Sequence, residues 1–202
     1  HIILARACLE QMRLDKVLLM PFGKPLIRKA EADANHRLEM LRIAIQGERG
    51  LKASKADIQK EPRYAVDTVK AVAANYPGRE IVYIVGADKL PDIPGWREAR
   101  TLFAACTFAA YPRVGFNLPV LAEALRVRGA RVEELAGEEV NISSSRVRAR
   151  LRLLSDAPGM LLPGVAAYIA ANGLYQPDYA GMVRQAMSAA RFAHSLGVRT
   201  GG

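Results

Sequence analysis

Three consecutive serines stand directly before a run of alternating arginines in "SSSRVRARLR". Ser143, Ser144 and Ser145 lie where the sequence predicts that a helix begins, and serine is a favoured residue at such a start. The first turn of a helix leaves backbone N–H groups unpaired at the positive end of the helix dipole. Hydroxyls, N–H groups and dipole together stabilise a phosphate group. The segment therefore predicts a phosphate site, although serine caps on a solvated basic helix would produce the same pattern.

The spacing of the arginines decides which of them can reach such a phosphate. At about 100° per residue, Arg148 and Arg152 share one face of the predicted helix. Arg146 and Arg150 share a nearly opposite face. Only one of these pairs can lean over a ligand at the first turn. Because a guanidinium binds phosphate through two parallel hydrogen bonds, an arginine of one of these pairs is a candidate phosphate ligand.

Composition and charge restrict the classes of partner that the chain can have. The 202 residues carry a net charge of +9, which favours anionic partners. The basic residues are scattered and not interleaved with aromatic residues, so a small phosphorylated ligand is favoured over polymeric nucleic acid. No run approaches the ~18 apolar residues of a membrane span, and no signal peptide pattern opens the chain, so a cytoplasmic protein is expected. Cys8 and Cys106 lie in apolar segments and are predicted to be buried thiols.

Short apolar segments alternate with segments of helical periodicity along the chain. Strands are predicted at 16–21, 80–88, 106–112 and 130–135. Helices are predicted at 1–13, 36–47, 63–77, 118–129, 143–154, 163–173 and roughly 180–197. This alternation predicts an α/β fold with a parallel sheet, which binds ligands at the carboxyl ends of its strands. Asp88 and Arg113 follow two predicted strands and are candidate ligand contacts, with a loop-capping aspartate and a surface arginine as the alternatives.

Several stretches resemble, in order along the chain, one branch of the nucleotidyltransferase superfamily that transfers adenylyl groups. "ISSSRVR" (142–148) resembles the I-S-S-T-x-I-R signature of the superfamily, and "IVGADKLPDIPGW" (84–96) resembles the G-x-D-x-L…W segment of that branch. Further similar stretches are "HRLEML" (36–41), "RYAVDTV" (63–69), "AYPRVG" (110–115) and "LPGVAAYIAANGLY" (162–175). The branch is that of the bacterial nicotinate mononucleotide adenylyltransferases, and the resemblance covers about residues 1–178.

The resemblance implies a Rossmann-like, doubly wound parallel sheet with C-terminal helices. It implies adenylyl transfer from ATP to nicotinate mononucleotide, giving deamido-NAD and pyrophosphate in NAD biosynthesis. The phosphate of the mononucleotide would attack the α-phosphorus of ATP in line, without a covalent enzyme intermediate, and Mg²⁺ would bridge the ATP phosphates. The sequence leaves open whether the chain forms a homo-oligomer and whether it prefers nicotinate or nicotinamide substrates.

The resemblance also implies roles for individual residues. His1 aligns with the second histidine of the superfamily's H-x-G-H motif and would, with Arg148, stabilise charge on the transferred phosphoryl group. Further contacts to ATP are expected from Gly86, Asp88, Arg28, Ser143, Ser144 and Ser145. The pyridine nucleotide is expected to contact Tyr64, Thr68, Arg113 and Trp96. The indole of Trp96 would stack on the pyridine ring.

The two ends of the chain depart from the family pattern. The strand, the glycine-rich turn and the first histidine of the family would lie ahead of His1, so we expect residues 1–178 to form a nucleotidyltransferase domain that lacks its first strand. "RFAHSLGV" (191–198) resembles the start of an HD-type phosphohydrolase domain, so residues 179–202 are expected to be a linker and the first helix of a truncated one. His194 would be the first metal ligand of a complete HD site, and one histidine cannot hold a metal, so no bound metal is expected.

The sequence leaves three other functions open. Another superfamily transferase, such as one that acts on phosphopantetheine, would share the serine–arginine motif, but Trp96 and the ending "AAYIAANGLY" (166–175) argue against it. A non-catalytic or degenerate nucleotide-binding remnant is favoured by the missing glycine–histidine segment, and the isolated chain is accordingly expected to turn over weakly or not at all. A basic nucleic-acid-binding module would bind oligonucleotides in a salt-sensitive way, and the scattered charge argues against it.

Overall fold

Strands and helices alternate through the first 142 residues, in the order that the sequence predicts for an α/β protein. The structure is a computed structural model that describes residues 2–21, 31–55, 58, 64–138, 142–154, 156–176, 183 and 187. It divides into two units, residues 1–142 and residues 143–202. The first unit holds the strands, and the described part of the second unit holds helices.

The bounds of most of the elements follow the predicted segments closely. The strands are β1 (Val17–Leu19), β2 (Leu51–Ala53), β3 (Val82–Gly86), β4 (Thr107–Tyr111) and β5 (Arg131–Glu134). The helices of the first unit are α1 (Ile2–Gln11), α2 (Ala34–Ala44), α3 (Ala65–Asn75), α4 (Ala99–Ala105) and α5 (Leu118–Arg126). The second unit contains α6 (Ser144–Leu154) and α7 (Pro163–Ala171). Two short 3₁₀-helices follow β3, at Ala87–Lys89 and Ile93–Gly95.

The strand pairs of the described residues are all parallel, which confirms the predicted α/β fold. β1 pairs with β2. β4 lies between β3 and β5, with Thr107 opposite both Val82 and Arg131. Within the described residues β1 and β3 each have a single strand neighbour. An apolar cluster that includes one side of α1 joins Val17 of β1 to Ile84 of β3, so one helix packs against both sheets.

The main core lies between the three-stranded sheet and helices α3, α4 and α5. Every residue of β4 is buried, which is the pattern of a parallel strand that is covered on both faces. Phe108 of β4, Leu102 of α4 and Leu125 of α5 are at most 2% exposed and belong to one cluster. This packing fixes the carboxyl end of β4 beside that of β3. Among the described residues, no helix combines the length and the apolar character that a membrane span requires.

The sequence does not predict β2 or α4. β2 has only three residues, and one of them, Lys52, is exposed, so the segment shows little apolar periodicity. α4 follows Glu98, which has a left-handed φ of +52° and makes no capping hydrogen bond. The helix therefore lacks the usual sequence signal of a start. The helix predicted at about 180–197 lies almost entirely outside the described residues.

Candidate active site

The carboxyl ends of β3 and β4 lie side by side and bring two predicted site residues together. Gly86 ends β3 opposite Tyr111 of β4. Asp88 follows in a 3₁₀-helix, Arg113 follows β4, and Nε of Arg113 lies 3.3 Å from Oδ1 of Asp88. The side chains are 24% and 29% exposed, so the attraction between their charges is screened less than in bulk water. The pair forms a polar edge at the place where parallel sheets bind ligands.

Both members of this pair have a further contact. Nζ of Lys89 lies 3.4 Å from Oδ2 of Asp88. Nη1 of Arg113 donates to the carbonyl oxygen of Ile142 at 3.4 Å. Two cations therefore flank the carboxylate of Asp88, and Lys89 also lies 3.9 Å from Oδ2 of Asp92. Two positive and two negative side chains thus meet at this edge of the sheet.

Gly86 has no side chain, and the Asp88–Arg113 pair occupies the space where a side chain at residue 86 would lie. A Cβ atom at residue 86 would overlap Oδ1 of Asp88 and approach Cγ of Arg113 to 3.2 Å. We expect Gly86→Ala to displace the carboxylate and to weaken Mg·ATP binding by about tenfold to a hundredfold, because small misplacements in a site are costly. Isothermal calorimetry measures this loss. Gly95→Ala is the matched control, since nothing lies within 4 Å of a Cβ atom there, and an equal loss in both variants would contradict the prediction.

The aromatic side chains of Tyr64, Tyr83 and Trp96 pack against the main core and together form the aromatic group. Trp96 is partly buried against the main core and meets the ring of Tyr83 edge to face, at a centroid distance of 6.0 Å. Tyr64, immediately ahead of α3, packs against the same core. The guanidinium carbon of Arg97 lies 4.7 Å from the centroid of the Tyr64 ring. The structure therefore brings Trp96 and Tyr64 to one apolar cluster and adds Arg97, which the sequence does not single out.

Thr68 supports the position of Tyr64. It is 8% exposed, and its Oγ1 donates to the carbonyl oxygen of Tyr64 at 3.4 Å. The backbone N–H of Tyr64 donates to Oδ2 of Asp67 at 3.1 Å, which ties the same residue to the first turn of α3. These contacts hold the start of the helix in place. A direct contact of Thr68 with the pyridine nucleotide stays a prediction.

The second unit contains the serine–arginine segment. α6 begins at Ser144, and Ser143 caps it, since Oγ of Ser143 accepts from the backbone N–H of Arg146 at 3.2 Å. The serines at 143, 144 and 145 are exposed. Nη2 of Arg148 donates to Oγ of Ser145 at 3.4 Å. The serine hydroxyls, the first turn of α6 and the guanidinium of Arg148 therefore lie close together. A phosphate site at a helix start requires such groups.

Three of the predicted site residues lie outside the described residues. They are His1, Arg28 and His194. Their roles stay predictions.

A cavity of about 600 Å³ lies at the opposite, amino-terminal ends of the strands. Three of the polar side chains that line it, those of Glu80, Thr107 and Arg131, are joined by hydrogen bonds. Oγ1 of Thr107 donates to Oε1 of Glu80 at 3.0 Å and accepts from Nε of Arg131 at 3.3 Å. Because parallel sheets bind ligands at the carboxyl ends of their strands, we assign the candidate active site to the end that carries Asp88 and Arg113.

Both cysteines are buried, as the sequence predicts. Burial raises the pKa of the Cys8 and Cys106 thiols to about 11, because the thiolate loses its hydration. At pH 8 we expect both thiols to react with a maleimide roughly two orders of magnitude more slowly in the folded chain than in the chain unfolded by urea. Mass spectrometry of timed samples measures the two rates. Fast labelling of the folded chain would contradict the prediction.

The raised thiol pKa values also predict a pH dependence of stability. A thiol that ionises at a higher pH in the folded chain than in the unfolded chain stabilises the fold fully below the unfolded pKa of about 8.5. This contribution is lost as the pH rises through about 11. The free energy of unfolding should therefore fall over that range.

A parallel sheet with a charged pair beyond the carboxyl ends of two neighbouring strands is typical of α/β proteins that bind nucleotides. The family model described as cytidylyltransferase-like matches residues 1–150. A probable nicotinate-nucleotide adenylyltransferase of Gemmatimonas aurantiaca is 32% identical over 183 residues, which cover 87% of this chain and 85% of that protein. Probable nicotinate-nucleotide adenylyltransferases of Gloeobacter violaceus and Bordetella avium are 34% and 35% identical, over 88% and 91% of their own lengths and 87% and 88% of this chain. The chain therefore belongs to the cytidylyltransferase-like family and, within it, to the nicotinate-nucleotide adenylyltransferases.

Solved structures of the same class share the fold. A Plasmodium falciparum nicotinic acid mononucleotide adenylyltransferase complexed with APC superimposes with a TM-score of 0.72 at 18% identity, over 87% of this chain and 89% of that chain. The same kind of protein complexed with NaAD gives a TM-score of 0.71 at 19% identity, over 86% and 88%. These matches confirm the predicted fold class.

Proposed function

We propose that this protein transfers the adenylyl group of ATP to nicotinate mononucleotide and releases pyrophosphate. The product is deamido-NAD, an intermediate of NAD biosynthesis. The observation that carries the proposal is an identity of 32% to 35% with probable nicotinate-nucleotide adenylyltransferases over most of the chain. The Asp88–Arg113 pair supports it, because the pair lies beyond the carboxyl ends of β3 and β4, and parallel sheets bind ligands at such ends.

The start of α6 is proposed to bind the ATP phosphates. The hydroxyls of Ser143, Ser144 and Ser145 and the N–H groups of the first turn can donate to phosphate oxygens. Arg148, already beside Ser145, adds a charged bidentate donor. Negative charge increases on the leaving pyrophosphate during in-line attack, and the guanidinium offsets it. His1 and Arg28 are proposed to add positive donors to the same phosphates.

Asp88 is proposed to hold the nucleotide through hydroxyl groups of its ribose. A carboxylate accepts hydrogen bonds from two neighbouring hydroxyls without rearrangement. Arg113 and Lys89 contact its two oxygens and keep the carboxylate in one orientation before the nucleotide arrives. Gly86 is proposed to let the nucleotide approach the end of β3 closely. Arg113 is also proposed to contact the phosphate of the mononucleotide.

Trp96 is proposed to stack on the pyridine ring. Its edge contact with Tyr83 and its partial burial fix the plane of the indole in advance. A fixed plane lowers the entropic cost of binding. Tyr64, held at the start of α3 by Thr68, is proposed to contact the same ring.

Mg²⁺ is proposed to reach the site on ATP. Within the described residues no group of three or more His, Cys, Asp or Glu side chains could hold a metal ion. Asp88 lies beside Arg113 and Lys89, and these two cations oppose the binding of a metal ion next to it. Mg²⁺ keeps several waters and prefers substrate phosphates, and when bound it would neutralise charge on the triphosphate.

The sheet is proposed to contain one more strand between β1 and β3. Val17 of β1 and Ile84 of β3 share an apolar cluster, although within the described residues each strand pairs on one side only. We propose that residues encoded ahead of His1 supply this strand, so that 1–178 belong to the transferase domain and 179–202 lead into an HD-type domain that begins near His194. Sequencing the DNA on both sides of the coding region tests this. An in-frame G-G-x-F-x-P-x-H-x-G is expected upstream, and a stop codon there would contradict it.

A substrate panel tests the proposed function. The chain, with any in-frame residues that its gene encodes ahead of His1, is incubated with Mg·ATP and nicotinate mononucleotide, and dinucleotide and pyrophosphate are measured. We expect equal amounts of both products. In the source cell, the reaction is proposed to take place in the cytoplasm. Turnover of phosphopantetheine instead would indicate another transferase of the superfamily. ATP binding without turnover of either substrate would indicate a non-catalytic nucleotide-binding protein.

A further inference from the structure

The outer side of β5 carries backbone groups that its neighbour β4 does not use. Within the described residues β5 pairs with β4 alone. The backbone N–H of Leu135, directly after β5, donates to the carbonyl oxygen of Ala110 in β4 at 2.9 Å. Because successive residues of a strand direct their backbone groups to opposite sides, those of Val132 and Glu134 point away from β4. Such an edge is a template on which another strand can pair.

Arg126, the last residue of α5, covers the outward carbonyl group of Val132. Its Nε donates to that oxygen at 3.2 Å, and its Nη2 donates to the same oxygen at 2.8 Å. A carbonyl oxygen has two lone pairs, so these two donors fill it. Nη1 of Arg126 lies 3.0 Å from Oε1 of Glu134 and 3.7 Å from Oε2 of Glu123, which fixes the guanidinium at the edge. The outward acceptor in the middle of β5 is therefore occupied.

The charges of β5 fit a second copy of the same strand. If two copies pair antiparallel about a two-fold axis at Val132, Arg131 of each copy lies opposite Glu133 of the other. Cβ atoms of opposite residues are about 4.5–5.5 Å apart, and opposite charges there stabilise the pair. Nε and Nη2 of Arg131 donate to Thr107 and Ala104, which leaves Nη1 for that carboxylate. A register shifted by one residue along each strand would instead place Glu133 opposite itself.

We propose that the outer edge of β5 is a self-pairing surface that Arg126 holds closed. Without the guanidinium of Arg126, two copies of the chain join through their β5 strands. In the wild-type chain this pairing would first have to break two hydrogen bonds from a charged donor, and such bonds are stronger than neutral ones. The contact closes at two copies, because a two-fold axis uses the same edge on both. The inference concerns association alone and does not depend on the proposed function.

Sedimentation of matched variants over a range of protein concentrations tests the closed edge. Arg126→Met keeps an aliphatic stem but has no donors. We expect it to form a species of double the wild-type mass whose share rises with concentration. Arg126→Gln keeps at most one of the two donors and should associate more weakly, so the test remains if the methionine variant does not fold. Arg128→Met is the control, since Arg128 is an exposed arginine two residues further along, and it should sediment like the wild type.

A further charge change locates the contact. Adding Glu133→Lys to Arg126→Met places a lysine opposite each Arg131 and should weaken the association at least about tenfold. Adding Glu138→Lys makes the same change of charge at an exposed residue beyond β5 and should weaken it less than about threefold. The backbone N–H of Val132 should exchange with deuterium more slowly in the associated species, because the second copy accepts from it.

Several results would overturn the inference. One is that Arg126→Met and Arg126→Gln both sediment like the wild type. Another is that Arg128→Met associates as strongly as Arg126→Met, or that Glu133→Lys and Glu138→Lys weaken the association equally, since either would indicate a general effect of charge. An associated species in which the Val132 amide is unprotected would place the contact elsewhere. A wild-type chain that already protects this amide by self-association would show that Arg126 does not close the edge.

Discussion

Replacing Arg148 with alanine should lower kcat for dinucleotide formation by about 100- to 1000-fold, the usual cost of losing one donor to a developing negative charge. Arg148 lies beside Ser145, at the turn where Ser143 caps α6. Its guanidinium can therefore remain on the phosphates as charge builds on the leaving pyrophosphate. Binding of Mg·ATP should weaken as well, by about 1.5–3 kcal/mol, the range for a hydrogen bond to a charged group. Steady-state kinetics and calorimetry measure the two losses.

Arg146→Ala is the matched control for this change. Arg146 is an exposed arginine of the same helix, two residues before Arg148. It therefore lies about 200° around the helix axis from Arg148. Its backbone N–H, which donates to Ser143, is unaffected by the substitution. The control should therefore keep the cap and change kcat by less than about threefold. Equal losses in both variants would mean that the basic charge of the helix acts as a whole and that Arg148 has no specific role.

Replacing Asp88 with asparagine should lower kcat/KM by about 100-fold or more. The amide has almost the same shape, but it presents one acceptor where the carboxylate presents two, and it leaves Arg113 beside a neutral group. Asp88→Asn should therefore weaken the proposed contact with the ribose and leave Arg113 less firmly oriented. Because the pair is partly exposed, the free energy of unfolding should fall by only about 1 kcal/mol. The decisive comparison is therefore between two measurements. The loss of kcat/KM should be large, whereas the shift of the urea unfolding midpoint should be small.

Asp92→Asn controls for the loss of one negative charge. Asp92 also faces Lys89, at 3.9 Å, but its side chain is 61% exposed and lies beyond the 3₁₀-helix that carries Asp88. Asp92→Asn should leave kcat/KM within about twofold of the wild-type value. A similar loss in both variants would indicate a general electrostatic effect, and a loss of stability of several kcal/mol in Asp88→Asn would indicate a structural role.

The buried strands could be predicted from sequence, and the short exposed elements could not. β4 is buried on both faces, and "TFAAY" is apolar from Phe108 onward. β3 is only partly buried apart from Val85, but "VYIVG" is also an apolar, β-branched run. Strand ends in a parallel sheet meet at one edge, which is why Asp88 and Arg113 could both be chosen as candidates before their contact was seen. β2 has three residues and an exposed lysine, so its strand state depends on pairing with β1. Local sequence carries no signal for such pairing.

The aromatic group shows a second limit of sequence analysis. Trp96 and Tyr64 could be chosen through a family resemblance, but they are 32 residues apart and belong to different elements. Arg97 stacks on Tyr64, and the next residue, Glu98, has a left-handed backbone and forms an ion pair with Lys70. These are tertiary contacts between α3 and the segment ahead of α4. A run such as "GWREAR" by itself indicates only a polar surface segment.

The position of Trp96 gives the protein a built-in optical probe. It is the single tryptophan among 202 residues, so all emission excited at the red edge of aromatic absorption comes from one indole. That indole is partly buried and is held edge-on by Tyr83. A pyridine ring that stacks on its face would accept an electron from the excited state and quench the emission. Occupancy of the pyridine site could therefore be followed in real time, without a label, while the ATP site is left empty or filled at will.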